Sequence, residues 1–311
     1  MLNNFDFIAK RKIFLYISGA LLVIGLILNL IMGVELDIDF KGGTLLKYSY
    51  QGTVDKTAVT TFVQTKLPGS ELDLSKEGDQ QIIKISLPSE VSVDTQTGFV
   101  KEMQKQYPAN NIKDLETVSL QPSYGSTFFI KCLVAIALAS IFLVIYVGLR
   151  FRKIGGWSAG VMSLLALLHD ILIAYFIFVI FRIPLNDNFV AVVLTILGYS
   201  LNDTLVIFDR IRENRTKMDK HASVSEIVNV SLRQSFGRML NTSICTLIAI
   251  GTVAVVAAIF SLDAITSFAI PMSFGVIAGF YSSTFLCAPT WALWVEFSDR
   301  RKALKKPAKN K

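Results

Sequence analysis

Six apolar stretches dominate the chain: residues 13–32, 129–149, 157–181, 189–208, 243–262 and 267–295. Each runs for about twenty residues or more, enough for an α-helix to cross the hydrocarbon core of a bilayer. The pattern predicts six membrane spans. Between the first two stretches the period changes. Residues 36–50 begin with apolar–polar alternation, are interrupted by Gly42-Gly43, and resume as strand-like sequence. Alternation marks a half-exposed strand, and paired glycines mark a bulge or a close backbone approach. Residues 54–67 read as helix and 72–75 as a weak strand. Residues 81–87 read as a strong strand preceded by a turn at Glu77-Gly78-Asp79, 95–107 as helix, and 112–120 as the last strand. The order βαββαβ is the split βαβ arrangement of ferredoxin-like domains. The expected fold class is an α-helical polytopic membrane protein with six transmembrane helices and one ferredoxin-like α+β domain.

Charge gives the spans a side. The net charge of +7 would suggest a nucleic-acid partner in a soluble chain, but 52% of these 311 residues are hydrophobic and only 18% are charged. Residues 10–12, 150–153, 210–238 and 300–311 hold 20 of the 31 Lys and Arg, and with six spans all four groups fall on one side. The positive-inside rule makes that side cytoplasmic. Residues 33–128 hold 9 Lys and Arg against 13 Asp and Glu, so the sheet domain is expected outside, with both termini inside. The division expected is a cytoplasmic N-terminus with the first span (1–33), an extracytoplasmic domain (34–128), spans two to six (129–298) with a cytoplasmic amphipathic segment at 222–240, and a basic tail (299–311). That tail sets topology, and its charge also suits contact with anionic lipid. The first span follows Lys10-Arg11-Lys12 as a signal peptide would, but it is long and lacks a clear small-x-small site, so an uncleaved anchor is expected.

Three places break the apolar rule. His169-Asp170 lies in the middle of the third span, Asn202-Asp203 in the inner part of the fourth, and Arg238 at the start of the fifth. An ionisable group inside a span costs roughly 2.5–3.5 kcal/mol and is read by default as functional. Two carboxylates on neighbouring spans with a basic residue nearby suit a relay that gains and loses protons. A conformational change that alters the Asp203–Arg238 distance then binds or releases a proton. His169 is read as a packed, hydrogen-bonded residue. Residues 223–236 open with a capping box at Ser223 and Glu226 and keep apolar positions at helical spacing, which predicts a helix lying in the cytoplasmic interface.

Other chemistry is not supported. The chain has no phosphate-binding loop, no HExxH and no Gly-x-Ser-x-Gly, so ATP hydrolysis and metalloproteolysis are not expected, nor any enzymatic activity, cofactor or metal. The three cysteines, Cys132, Cys245 and Cys287, fall in predicted spans and read as packing residues. Gly275 and Gly279 form a GxxxG pattern suited to close helix packing, and Pro271 and Pro289 are candidate bends in the last span.

Several motifs carry a resemblance. Gly33-Val-Glu-Leu-Asp-Ile-Asp-Phe-Lys-Gly-Gly43, which contains Asp39, Gly42 and Gly43, is similar to the motif that opens the periplasmic region of SecD and SecF proteins. His169-Asp170 and Gly198-Tyr-Ser-Leu-Asn-Asp-Thr-Leu-Val-Ile-Phe-Asp-Arg-Ile-Arg-Glu-Asn214, which contains Asn202, Asp209 and Arg210, resemble the SecF signatures. Asn229-Val-Ser-Leu232, Arg238 and Asn241-Thr242 resemble the segment that follows. The sequence departs from the family at residues 121–127 and at Asp37, where glycine is common. The resemblance implies a half of an RND-type transporter in the bacterial inner membrane. It implies pairing with SecD into a 12-span unit that works beside the SecYEG translocon and YajC- or YidC-type proteins. Such a unit pulls an unfolded, translocating polypeptide outward on the proton motive force. The resemblance puts the proton-linked carboxylate at Asp203 and the essential arginine at Arg238. Asp170, Asn202, Asp209 and Arg210 fall in supporting positions. Two other readings remain at this point: a non-transporting scaffold of the translocon, and a free-standing exporter of small molecules or lipids, which would usually need two such halves.

Overall fold

The computed structural model describes residues 5–219 and 221–305. The last part of the basic tail, from residue 306, therefore lies outside the described residues. The first helix, α1 (Arg11–Met32), ends at Gly33, whose φ of 69° suits glycine. The strand expected to begin at residue 36 is instead a short bridge and a helical turn. Leu36 pairs with Leu185, the Asp37 N–H donates to the Leu185 carbonyl (2.9 Å), and the Leu185 N–H donates to the Glu35 carbonyl (2.8 Å). Asp37 then caps α2 (Ile38–Lys41) by accepting from the Ile38 N–H. Ile38 and Phe40 are both buried, and Phe40 packs on Phe128 and Phe129. The two-residue repeat thus reflects a capped helical turn with Ile38 and Phe40 buried rather than one face of a sheet.

The sheet domain follows with β1 (Gly43–Tyr50), α3 (Lys56–Lys66), β2 (Glu71–Glu77), β3 (Gln80–Leu87), α4 (Val93–Gln106) and β4 (Lys113–Leu120). The strand order is β2-β3-β1-β4 with every neighbouring pair antiparallel, the order expected of a ferredoxin-like domain. Asp55 and Ser92 cap the two helices. Alternate residues of β1 and β3, Leu46, Tyr48, Ile83 and Ile85, meet Val59, Val63, Phe99 and Met103 of the helices in one small core. Gly43 has φ 126°, and a Cβ there would lie 2.2 Å from the Leu87 carbonyl oxygen, so only glycine fits where β1 leaves the turn.

The remaining spans are α5 (Pro122–Arg150), α6 (Gly156–Ile180), α7 (Asp187–Lys217), α8 (Val224–Ile259) and α9 (Asp263–Tyr281), which passes through one π-helical turn (Ser282–Cys287) into α10 (Ala288–Lys305). Among the described residues, six helices are long and apolar enough to cross a membrane. Segment 223–236 is not a separate interfacial helix: it forms the first turns of α8 and runs unbroken into the fifth span. No proline interrupts it, and its polar residues are used internally. The Asn229 Oδ1 accepts from the Phe7 N–H (2.9 Å), its Nδ2 donates to Asp6 (2.8 Å), and the Arg233 Nε donates to the Phe5 carbonyl (3.0 Å).

Burial sorts the spans. The most apolar windows of α1, α5 and α8 are each 11% buried, against 56% for α6 and 50% for α7, so α6, α7 and α9 form the centre. The sheet domain rests on one end of this bundle, called here the domain end; the other is the basic end. The Gly78 N–H at the β2–β3 turn donates to the Phe260 carbonyl at the end of α8 (2.8 Å), and Lys84 of β3 pairs with Asp263 of α9. At the base of the domain, a Cβ on Gly125 would lie 2.7 Å from the Gly42 nitrogen, so α5 touches the α2 turn backbone to backbone. Arg182 pairs with Glu35 and donates to the Met32 carbonyl (2.6 Å).

Candidate functional site

The central helix α7 has two polar seams. Toward α9 the seam repeats every fourth residue, with both helices running the same way. A Cβ on Gly275 would lie 2.1 Å from the Ile196 Cδ1, one on Gly279 would lie 3.0 Å from the Ser200 Cβ, and the Ser283 Oγ sits 2.8 Å from the Thr204 Oγ1. The GxxxG pattern is thus the close-packing surface of α9, and Ser283 extends it by one turn. Toward α8 the helices run antiparallel. The Tyr199 hydroxyl donates to the Ser243 Oγ (3.0 Å), the Arg210 Nε donates to the Gln234 Oε1 (2.7 Å), and the Asn214 Nδ2 donates to the Ser231 Oγ (2.8 Å). Asp203 and Arg238 occupy the level between the first and second of these contacts, within electrostatic range of each other.

The Asp170 carboxylate on α6 is fully buried and well partnered. Its Oδ2 accepts from the Ser200 Oγ (2.6 Å) and the Ser282 Oγ (2.7 Å), and its Oδ1 lies 3.0 Å from the His169 Nδ1. His169 is buried with it, and its Nε2 has no hydrogen-bond partner. The π turn supplies Ser282, Ser283 and Thr284, all fully buried. A π turn holds one more residue than an α turn and recurs at functional sites. Pro289, which has no N–H, follows just beyond it. The Ser283 Oγ also donates to the Ser200 carbonyl (3.1 Å), so hydroxyls and backbone join Asp170 to Thr204, the residue after Asp203.

Asp203 is 1% exposed, and its Oδ2 is buried without a hydrogen-bond partner. Arg238 is exposed on α8 and makes no ion pair among the described residues, but its charge lies within electrostatic range of the Asp203 carboxylate. Asn202 is exposed on α7. Asp209 and Arg210 lie toward the basic end, where Asp209 pairs with Arg150 (3.2 Å) and Arg212 (2.9 Å), and Arg210 pairs with Glu213. Asp39, Gly42 and Gly43 sit at the domain end, away from this site. Burial pushes the Asp39 carboxyl above its ordinary range, and the charges of Asp37 and Asp187 add to the push. The structure therefore brings Asp170, Asp203 and Arg238 around α7, and places the other motif residues at its two ends. Sequence reasoning missed Ser200, Thr204, Ser282 and Ser283. The run Ser282-Ser283-Thr284 shortly before a proline, inside an apolar stretch, was the available signal.

The family model for the protein export membrane protein SecD/SecF, C-terminal, matches residues 99–297. SecF of Alicyclobacillus acidocaldarius is 32% identical over 299 residues, which cover 94% of each chain. The SecDF subunit of Bacillus subtilis is 31% identical over 94% of this chain but only 38% of its own length. The crystal structure of SecDF from Thermus thermophilus, described as a translocon-associated membrane protein, superposes with a TM-score of 0.77 and 25% identity over 95% of this chain and 39% of that one. Motif, topology and overall likeness agree, and the chain belongs to the SecD/SecF family of protein-export membrane proteins.

Proposed function

We propose that this chain is an accessory subunit of the Sec protein translocon, without enzymatic activity, that draws an exported polypeptide outward using the proton motive force. The observation that carries the reading is Asp203: a carboxylate buried in a membrane helix, with an oxygen left unpartnered and, on α8, an arginine within electrostatic range that makes no ion pair with it. Such a group can take up or release a proton without breaking a hydrogen bond, and a shift of α8 against α7 changes its distance to Arg238. A charge crossing the membrane potential supplies about 2.3 kcal/mol per 100 mV. Asp170 serves as a second member of the relay, reached through Ser200, Ser283 and Thr204.

A SecD-type chain is the proposed partner. Relatives named SecDF are more than twice as long as the region this chain covers in them. Asn202 and Arg238 are exposed on neighbouring helices of the bundle, where hydrocarbon is a poor solvent for either. A second membrane half seated on this face covers both. The positive-inside rule puts the basic end in the cytoplasm and the sheet domain outside a bacterial cell membrane, beside SecYEG and YajC- or YidC-type proteins.

The test is export into vesicles with an imposed gradient of protons or of sodium. Asp203→Asn and Arg238→Met should each remove the gradient-dependent part of export while the protein stays inserted. Normal export in both variants would end the proposal. Asp170 favours a second reading for itself, since a carboxylate with its partners already in place suits a scaffold. That reading predicts lost co-purification with the partner chain rather than lost ion dependence.

A further inference from the structure

We infer that the basic end carries a binding site for an anionic phospholipid, in the groove between α1, α6 and α10. The groove is a cavity of about 850 Å³. Three arginines line it: Arg11 at the start of α1, and Arg300 and Arg301 near the end of α10. Its apolar wall is formed by Met162 of α6 with Leu293 and Trp294 of α10. One end therefore offers guanidinium groups and the other offers hydrocarbon, which is the order of groups along a phospholipid.

The level in the membrane fits. Trp294 and Phe297 are exposed on α10 between the last buried aromatic, Trp291, and the arginines. Exposed tryptophan is typical of the headgroup region. The Arg301 guanidinium lies 4.4 Å over the Phe297 ring. A guanidinium can rest on an aromatic ring and still offer N–H groups to a phosphate, which arginine binds as a fork. Glu296 also lines the groove, but its Oε1 accepts from the N–H and hydroxyl of Ser225 at the start of α8, so the helix end offsets its charge.

Charge also selects the occupant. Residues 302–311 carry five lysines and no acidic side chain, so their sequence offers no anion to a groove of three arginines. A zwitterionic headgroup brings an ammonium group that the same arginines repel. Phosphatidylglycerol and cardiolipin bring only negative charge. Basic pockets between helices at the cytoplasmic surface are suited to such headgroups.

The test uses the full chain in nanodiscs, with brominated lipid as a quencher of Trp294 fluorescence. Trp294→Phe identifies the Trp294 signal against Trp157 and Trp291. In phosphatidylcholine discs, brominated phosphatidylglycerol should quench Trp294 at a lower mole fraction than brominated phosphatidylcholine does. The preference should fall about fivefold for each arginine removed, in Arg300→Gln and then in Arg300→Gln/Arg301→Gln. Arg152→Gln/Lys153→Gln, basic residues of the same end outside the groove, should keep it. Equal quenching of the Trp294 signal by both lipids, in a protein with all its arginines in place, would overturn the site. Equal losses in the groove and control pairs would overturn it in favour of diffuse surface charge. Displacement by an acidic peptide with no lipid preference would overturn it in favour of a protein partner.

Discussion

Asp170 and Asp203 are both buried carboxylates on adjacent central helices, yet their surroundings differ in kind. Asp170 has a hydroxyl from α7, a hydroxyl from the π turn and an imidazole around it. Asp203 has an oxygen with no partner and an arginine within electrostatic range that makes no ion pair with it. Burial alone therefore does not distinguish the two carboxylates. A carboxylate whose acceptor positions are filled changes protonation only by releasing a partner, whereas a bare one does so freely. The first is suited to holding three helices together, and the second to moving charge.

The sharpest way to break this contrast is functional. Asp203→Asn should abolish gradient-driven export, whereas Asp170→Asn, which keeps most of its hydrogen bonds, should retain a measurable part. Equal loss in vesicle export assays would mean that the difference in partners has no bearing on coupling. The next test is stability. Asp170→Ala removes the carboxylate shared by the Ser200 and Ser282 hydroxyls and the His169 imidazole in an apolar interior and should cost about 3–5 kcal/mol in reversible unfolding from detergent. Asp203→Asn should cost less than half as much, because no hydrogen bond is lost. Gly275→Leu comes third. It inserts a side chain where α9 meets Ile196 and should cost about 1–3 kcal/mol by spreading α7 from α9. It should disturb Ser200 and Asp170 while leaving the Tyr199–Ser243 contact with α8 intact, which cysteine cross-linking on the two seams can read.

The smallest expected effect extends the comparison to an acid outside the spans. Burial, then Asp37 and Asp187, raise Asp39 above its ordinary value of 3.8. A raised folded-state value gives a stability contribution that is complete below the ordinary value and is lost as the pH climbs through the raised one. Asp39→Asn should therefore slightly stabilise the junction of domain and membrane helices at neutral pH and flatten its slope across the carboxylate range. Hydrogen exchange at α2, followed from about pH 4 to pH 7, reads the difference. A gain of the same size at every pH would assign it to some other cause.

The spans were legible because an apolar run of that length is rare outside a membrane helix, and the sheet domain because its alternation is bounded by turns. Residues 36–40 were not legible. Five alternating residues describe a strand, but they equally describe a capped turn that buries both Ile38 and Phe40. The first turns of α8 were misassigned because amphipathic spacing does not reveal whether the apolar side meets lipid or protein. At the site, Asp170 and Asp203 stood out because a charge in an apolar run is rare. The hydroxyls did not, because a span serine or threonine usually bonds to the carbonyl four residues back in its own helix. Ser140, Ser163 and Thr195 all do so here. Spacing alone does not separate these from Ser200, which reaches another helix, and only the clustering of Ser282-Ser283-Thr284 before Pro289 sets that run apart.

The π turn also settles which side of the next helix is buried. Val276 of α9 is fully buried, and counting about four α-helical turns of 3.6 residues onward brings Thr290 to the same side. The extra residue of the wide turn delays the count by one. Trp291 takes that position instead, is 1% exposed, and donates to the Ser158 Oγ on α6 (3.0 Å), while Thr290 remains partly exposed. One surplus residue beside Asp170 thus sets the rotational phase of everything that follows, including the side of α10 on which Trp294 and its arginines emerge.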